Sequence, residues 1–194
     1  MALEIERRFL VRGELWRPHA VGENLIRQGY LASGRDDLTL RVRLARPPEG
    51  PMAAFLTLKL PAAGGGLMGP EHGELIPAAG QALTRQEYEY PIPAADAEAL
   101  LERCDHRLGK IRFGLDLPGG DWVLDVFEGA NAPLVVAEVE LERADEPVAV
   151  PPWCALEITG RRELSNAALA HRPLAMWPEA DRQALLVQAH GGPD

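Results

Sequence analysis

Three Glu-x-Glu pairs are the most informative acidic residues of this sequence. They are Glu4 with Glu6, Glu87 with Glu89, and Glu138 with Glu140. Side chains two residues apart on a β-strand point to the same face, so each pair would place two carboxylates side by side. Carboxylates at that spacing repel one another unless a cation or a basic side chain lies between them. Paired carboxylates therefore indicate a site for a hard divalent cation such as Mg²⁺ or Mn²⁺, which prefers oxygen ligands.

Basic residues follow the same alternation as the acids. They are Arg8, Arg41, Arg43, Lys59, Arg85, Lys110 and Arg112. Most of them are arginine, whose planar guanidinium can bind phosphate oxygens through two hydrogen bonds at once. Asp125 alternates with apolar neighbours in the same way and is a further acid beside the three pairs. A set that contains both acids and bases is suited to a complex between a metal ion and a polyphosphate.

The alternation alone has two interpretations. In the first, the charged residues cover one face of a sheet and contact water, which is the ordinary arrangement. In the second, the charged faces line the inside of a closed barrel of about eight strands, which can enclose one small ligand. Enclosed charges are costly unless they pair or bind an ion. The second interpretation therefore requires a charged ligand.

The elements that would carry these residues are mostly strands. Period-two alternation predicts strands over Leu3–Val11, Leu25–Ala32, Thr39–Ala45, Ala54–Leu60, Thr84–Ile92, Gly109–Leu117, Trp122–Glu128 and Val135–Glu142. Helical spacing predicts helices over Ala94–Cys104 and Ser165–Ala170, and another that begins at Pro178. Many strands with few helices predict an α+β fold, mainly antiparallel β, as an open sheet or a closed barrel.

Composition narrows the classes of function. The 194 residues carry a net charge of −9, which argues against a general nucleic-acid-binding surface. No apolar run reaches the length of a membrane span, and the first residues carry acidic side chains where a signal peptide needs an apolar core. Cys104 and Cys154 lack metal or redox spacing. We expect a cytoplasmic protein with a small-molecule partner; a homodimer is compatible with the sequence, which does not determine the oligomeric state.

The charged segments occur in an order that is itself a motif. The segments are Glu4-Ile5-Glu6-Arg7-Arg8, Leu40-Arg41-Val42-Arg43, Leu56-Thr57-Leu58-Lys59, Arg85-Gln86-Glu87-Tyr88-Glu89, Lys110-Ile111-Arg112, Leu124-Asp125-Val126, Glu138-Val139-Glu140 and Ser165-Asn166-Ala167-Ala168-Leu169-Ala170. This ordered set resembles the CYTH domain, the family of triphosphate tunnel metalloenzymes, whose N-terminal signature is Glu-x-Glu-x-Lys. One such segment has little specificity, but the set covers the chain from Glu4 to about Ala170.

The resemblance implies an eight-stranded antiparallel β-barrel that forms a tunnel, with helices packed outside and a C-terminal helix near one mouth. It implies a Mg²⁺- or Mn²⁺-dependent enzyme that acts on triphosphates. The positions matching the family's metal-binding acids are Glu4, Glu6, Glu138 and Glu140, with Asp125 near the metals. Those matching its phosphate-binding bases are Arg8, Arg41, Arg43, Lys59, Arg85, Lys110 and Arg112. Lys110 also matches a residue proposed to assist proton transfer, although the nearby acids would keep it protonated. Tyr30 is expected either to orient Lys110 or to pack in the barrel wall.

Two short runs indicate the substrate. Arg27-Gln28-Gly29-Tyr30-Leu31 and Arg85-Gln86-Glu87-Tyr88-Glu89 resemble the short bacterial inorganic triphosphatases, which implies hydrolysis of tripolyphosphate to pyrophosphate and phosphate. A nucleoside or thiamine triphosphatase or an adenylate cyclase of the same family is an alternative. A non-catalytic polyphosphate-binding module is an alternative of another class, but binding a polyanion would need the bases and not the acids.

The sequence departs from the family pattern in three places. Arg8 replaces the signature lysine, so only a binding role transfers to this position, because a guanidinium does not give up its proton. A glycine-rich insertion over residues 61–82 is predicted to be a flexible loop within a tunnel domain that covers residues 1–170. Residues 171–194 have no counterpart in the motif set and are predicted to form a helical tail that packs on the barrel.

Overall fold

A computed structural model describes residues 3–33, 38–61 and 82–190 of the chain. The strands are β1 (Leu3–Val11), β2 (Ala20–Ser33), β3 (Thr39–Arg46), β4 (Ala53–Pro61), β5 (Leu83–Pro91), β6 (His106–Leu115), β7 (Asp121–Phe127), β8 (Val135–Glu140) and β9 (Cys154–Glu157). The α-helices are α1 (Ala94–Glu102), α2 (Asn166–His171) and α3 (Glu179–His190). Most of the predicted insertion lies outside the described residues; Pro61 ends β4 and Ala82 precedes β5.

The strands form a closed antiparallel barrel. Neighbours follow the order β5-β4-β3-β2-β6-β7-β8-β1, and β1 pairs with β5 to close the circle. One edge of β1 pairs with two strands in turn. Leu3 to Glu6 pairs with β5, which closes the barrel, and Phe9 to Val11 pairs with β9. Its other edge pairs with β8. The predicted eight-stranded barrel with helices outside is therefore confirmed.

The charged faces of the strands point into the barrel. Asp125 is 0% exposed and Lys110 is 2% exposed, although both are ionisable. The outer faces carry apolar residues that are covered by other parts of the chain. Phe9 and Leu124 pack in a cluster with Trp153, and Val42 packs against Leu101 of α1. The first interpretation, in which the charges contact water, is thus wrong, because the apolar faces need the outer cover and leave the inside to the charges.

One end of the lumen is filled by apolar side chains. They lie on the inward faces of four strands, two residues beyond a charged residue in each case: Leu10, Leu108, Phe127 and Val136. Leu169 of α2 and Leu185 of α3 complete this buried cluster. At the opposite end, Glu140 is exposed. The lumen is therefore apolar at the end that the helices close and charged from there to the end where Glu140 is exposed.

Several element boundaries differ from the predicted ones. β6 begins at His106 rather than at Gly109, and α1 ends at Glu102 before the predicted Cys104. Gly29 on β2 permits α1 to pack this closely, since a Cβ there would lie 2.7 Å from the Cβ of Cys104. β9 was not predicted, because its few residues follow two prolines and pair only with the end of β1. In the described part of the chain, no helix combines the length and the apolar character needed to cross a membrane.

Candidate active site in the barrel lumen

The most deeply buried ionic group surrounds Asp125 of β7. Lys110 donates to Asp125 Oδ2 at 2.5 Å, and Arg112 donates to both Asp125 oxygens at 2.7 Å. Arg112 also donates to Glu138 at 2.7 Å, and Arg8 donates to the other Glu138 oxygen at 2.9 Å. Because β1, β8, β7 and β6 are neighbours in the barrel, their inward residues form one continuous network. These five residues are called the Asp125 cluster below.

The carboxylates of the Asp125 cluster stay ionised in spite of burial. Burial alone would raise the pKa of Asp125, but Arg112 and Lys110 bring it below its ordinary value. Burial likewise opposes ionisation of Glu138, and Arg112 and Arg8 hold the pKa of that carboxyl well below its usual range. In return, the pKa of the Arg112 guanidinium is raised, since Asp125 outweighs the effect of burial. The cluster is thus a rigid arrangement of compensated charges.

Lys110 differs from its neighbours in the direction of its pKa shift. Burial lowers the pKa of Lys110 to about 8, and this effect outweighs the attraction of Asp125. The nearby acids therefore do not keep this amine fully protonated, contrary to the expectation from the sequence. A lysine poised near neutral pH can exchange a proton with a reacting group.

The partner of Lys110 is not the one expected from the sequence. Its second hydrogen bond goes to Asn166 Oδ1 of α2, at 3.0 Å. The Tyr30 hydroxyl accepts a hydrogen bond from Gln28 at 2.7 Å instead, and burial raises the pKa of Tyr30 to about 12. Tyr30 belongs to the apolar cluster at the closed end. Among the described residues, Asp125 and Asn166 hydrogen-bond to the Lys110 amine, and Tyr30 does not. Of the two expected roles for Tyr30, the contacts of this structure favour packing in the barrel wall.

A second group surrounds Glu89 of β5. Arg41, Thr57 and Glu89 lie directly opposite one another on β3, β4 and β5. The buried Thr57 hydroxyl donates to Glu89 at 2.8 Å and accepts from Arg41 at 3.1 Å. Arg43 donates to both Glu89 oxygens, at 2.8 and 3.0 Å. These four residues are called the Glu89 cluster.

Basic groups outnumber acids in the Glu89 cluster. Burial and the neighbouring Arg41 lower the pKa of Arg43 to about 10, and Glu89 does not compensate for them fully. The Nε atoms of Arg41 and Arg43 are buried without a hydrogen-bond partner among the described residues, as are Arg85 Nε and Arg8 Nη2. A buried donor without a partner costs free energy that a bound anion would restore. The lumen therefore has unused capacity to bind an anion.

A third group, the Glu4 cluster, lies near the open end. Lys59 donates to Glu4 at 2.5 Å, and Arg85 contacts Glu4 at 3.1 Å and Glu6 at 2.8 Å. Glu87 joins this group to the Glu89 cluster, because it lies 3.4 Å from Lys59 and 3.6 Å from Arg41. All the predicted acids and bases thus face the same lumen.

Two acids near the open end, Glu6 and Glu140, are compensated less completely than Asp125. For Glu4, burial is outweighed by Lys59 and Arg85, which lower its pKa. Burial raises the pKa of Glu6, and Glu4 and Glu138 add to the effect against the opposition of Arg85. Glu140 forms no hydrogen bond or ion pair within the described residues, and its pKa is raised by burial and by Glu4 and Glu87. Glu4 Oε2 is buried without a hydrogen bond of good geometry, although Arg85 lies nearby. Carboxylate oxygens with this excess of negative charge fit a divalent cation.

The acids do not form a ready-made metal site. Across the described ranges, no three His, Cys, Asp or Glu side chains converge closely enough to hold an ion. The reason is visible in the three clusters: Glu4, Glu6 and Glu138 each pair with a lumen base. A phosphate chain that engaged those bases would release the carboxylates.

Two polar residues of the site were missed by the sequence reasoning. The alternation placed Thr57 on the same face of β4 as Lys59, but only the charged residue of that pair was predicted to belong to the site. Asn166 begins a helix, and nothing in the strand pattern placed it near Lys110.

Comparison with known proteins agrees with this architecture. The family model of the CYTH domain matches residues 2–169. An inorganic triphosphatase of Acetivibrio thermocellus is 30% identical over 92% of this chain and 100% of its own length. One from Nitrosomonas europaea is 37% identical over 86% of this chain and 96% of its own length. A crystal structure of an inorganic triphosphatase superposes with a TM-score of 0.55 at 31% identity, covering 88% of this chain and 95% of that chain. The chain belongs to the CYTH domain family.

Proposed function

We propose that this chain is a divalent-metal-dependent inorganic triphosphatase that hydrolyses tripolyphosphate to pyrophosphate and phosphate inside the barrel. The observation that carries the proposal is the enclosed lumen. There, buried guanidinium donors without a hydrogen-bond partner among the described residues share the space with carboxylates whose pKa is raised by burial and by neighbouring acids. The names of the two relatives support the choice of substrate.

The bases would bind the phosphate chain. Arg41 and Arg43 project from the same face of β3 with unused donors, and Arg85 adds another from β5. Phosphate oxygens that accept these hydrogen bonds would restore the free energy lost by burying the donors. Arg8, Lys59 and Arg112 are the remaining bases proposed to contact substrate. As charge shifts during hydrolysis, guanidiniums fixed around the chain would stabilise the developing negative charge.

The acids at the open end would hold the metal. Glu4, Glu6, Glu138 and Glu140 are the proposed ligands, because they supply oxygen donors from the neighbouring strands β1 and β8. Burial and nearby acids raise the pKa of two of them, Glu6 and Glu140. A bound Mg²⁺ or Mn²⁺ would neutralise phosphate oxygens and lower the pKa of a coordinated water. We propose that Asp125 positions Arg112 and Lys110, from which both of its oxygens accept. Like Glu138, whose oxygens accept from Arg8 and Arg112, it would exchange a base for the ion in order to bind metal.

Lys110 is proposed to move the proton. Its Nζ is buried and its pKa is lowered to about 8, so the neutral amine is accessible near neutral pH. At that atom the chain can accept a proton from the attacking water and return it to the leaving phosphate. Arg8 cannot do this, because a guanidinium keeps its proton.

Phosphate release from tripolyphosphate by the purified protein tests the proposal. We expect turnover with Mg²⁺ or Mn²⁺ and none with a chelator. ATP and thiamine triphosphate, assayed in parallel, separate the related triphosphatases, and formation of cyclic AMP would indicate a cyclase. Tight binding of tripolyphosphate with zero turnover at every metal concentration would identify a non-catalytic binding module and overturn the proposal.

Location and assembly remain predictions. We propose a cytoplasmic location, which suits the two cysteines, since neither Cys104 nor Cys154 forms a disulfide. A homodimer remains compatible with the chain, and sedimentation or light scattering of the purified protein would determine it.

A further inference from the structure

Among the described residues, Asn166 is the uncharged residue that hydrogen-bonds to the buried amine of Lys110, which also lies 5.3 Å from the centre of the Phe127 ring. Its Oδ1 accepts from Lys110 Nζ at 3.0 Å, and Asp125 accepts from the same nitrogen at 2.5 Å. We propose that Asn166 is a positioning residue, which fixes Lys110 for proton transfer. The inference rests on the proposed triphosphatase function and adds to it a residue on a helix outside the barrel wall.

Geometry supports this role. A lysine nitrogen has a flexible four-carbon stem and three directions in which it can donate. One partner alone would leave the nitrogen free to rotate about the bond to that partner. Two partners on different elements, Asp125 on β7 and Asn166 on α2, define the direction that remains. An amide also does this without adding a second negative charge beside the amine.

The helix that carries Asn166 is fixed at both ends. Ser165 caps α2, since its Oγ accepts from the Ala168 N–H at 3.1 Å. At the other end, the ring of His171 stacks on the ring of His106, with centroids 3.5 Å apart. His106 begins β6, the strand that also carries Lys110. Besides the Asn166–Lys110 hydrogen bond itself, the His171–His106 stack therefore joins the same helix to the same strand.

The first experiment measures kinetics with tripolyphosphate. We expect Asn166→Ala to lower kcat by about ten-fold or more with little change in KM, because small misplacements of a reacting group reduce rates by up to ~100-fold. In a Lys110→Met background, Asn166→Ala should cause no further loss, since a positioning residue acts only through its partner. An unchanged kcat in Asn166→Ala, or an undiminished loss in the Lys110→Met background, would overturn the inference.

A matched asparagine separates positioning from folding. Asn131 is buried and donates to the Leu169 carbonyl of α2 at 3.1 Å, but it contacts neither Lys110 nor another lumen base. Asn131→Ala should lower the thermal midpoint at least as much as Asn166→Ala while keeping the wild-type kcat below that midpoint. Equal losses of kcat in both variants would show that Asn166 acts only through the stability of α2.

A second experiment is independent of turnover. The chain contains two lysines, Lys59 and Lys110. The Cε signals of ¹³C-labelled lysine can thus be assigned with Lys59→Arg. We expect Asn166→Ala to shift the Lys110 signal and leave that of Lys59 in place; no shift of Lys110 would contradict the contact. A wild-type protein without turnover would reject the triphosphatase, whereas an active wild type with a fully active Asn166→Ala would reject this inference alone.

Discussion

The Asp125 and Glu89 clusters are built from the same kinds of residue but differ in how completely their charges are compensated. In the Asp125 cluster both oxygens of the central carboxylate accept from two bases, and one of these bases extends the network to Glu138. In the Glu89 cluster two guanidiniums share one carboxylate, and both keep a buried Nε without a partner among the described residues.

This difference assigns different tasks to the two walls of the lumen. A buried carboxylate whose two oxygens both accept from bases holds those bases in place, and losing it leaves them uncompensated. A network with spare donors is costly until an anion arrives, and part of the binding energy is stored in that cost. We infer that Asp125 mainly holds Lys110 and Arg112 in place, and that the spare donors of the Glu89 cluster serve mainly to bind substrate.

The largest expected effect comes from breaking the Asp125 cluster. Asp125→Asn should abolish measurable turnover and lower the free energy of unfolding by about 3–5 kcal/mol, because Lys110 and Arg112 would lose their compensating charge. Urea unfolding and phosphate release measure the two effects. Asp121 on the same strand is exposed, and Asp121→Asn is the control that should keep both. A stable, active Asp125→Asn protein would show that the cluster does not hold the site.

Glu140 lies outside both clusters, and its substitution separates metal binding from folding stability. Glu140→Gln should raise the metal concentration for half-maximal turnover by at least about ten-fold, since even outer partners of metal ligands contribute 10–100-fold to affinity. Unfolding stability should remain unchanged, because Glu140 is exposed and unpaired within the described residues. A metal titration at fixed tripolyphosphate measures the shift. Wild-type metal dependence would remove Glu140 from the ligand set.

Substituting Arg43 is expected to weaken substrate binding while changing the free energy of unfolding little. Arg43→Gln should raise KM for tripolyphosphate by about ten-fold, equivalent to ~1.4 kcal/mol. The free energy of unfolding should stay within about 0.5 kcal/mol of wild type, because the protein loses a guanidinium whose burial is poorly compensated. Arg46, at the exposed end of the same strand, supplies the matched control. If Arg43→Gln instead destabilised the fold and kept KM, the Glu89 cluster would be structural.

The smallest effect on kinetics is expected at Thr57. Thr57→Val keeps the shape of the side chain and removes the hydroxyl that joins Arg41 to Glu89. It should cost about 1 kcal/mol of stability. KM should rise by less than in Arg43→Gln, since both guanidiniums remain. A loss of kcat greater than that of KM would place Thr57 nearer to the reaction than this account does.

The sequence predicted the strands and their faces well, because both depend on local alternation. The enclosed position of the charges followed from the family resemblance, since alternation alone favoured a solvated face. Pairings across the lumen could not be predicted. Lys59 lies on β4 and Glu4 on β1, and these strands are separated by β5, so their contact depends on the register and closure of the barrel.

The remaining errors have a similar cause. The sequence left two roles open for Tyr30, orienting Lys110 or packing in the wall. In the structure the amine extends toward α2, and the tyrosine ring packs in the apolar cluster. Asn166 is uncharged and lies far from Lys110 in sequence. Its role emerges only when the helix packs on the barrel. Local patterns therefore identified the charged set, and tertiary packing determined which of its members meet.

The most direct test of the account is to observe the two lysines while substrate binds. Lys59 and Lys110 lie in different clusters of the same lumen. Tripolyphosphate added to ¹³C-lysine-labelled protein without divalent metal should shift the Cε signals of both residues together, with one apparent affinity that is weakened in Arg43→Gln. Binding of tripolyphosphate that leaves both signals unchanged would place the ligand outside the barrel and contradict the account.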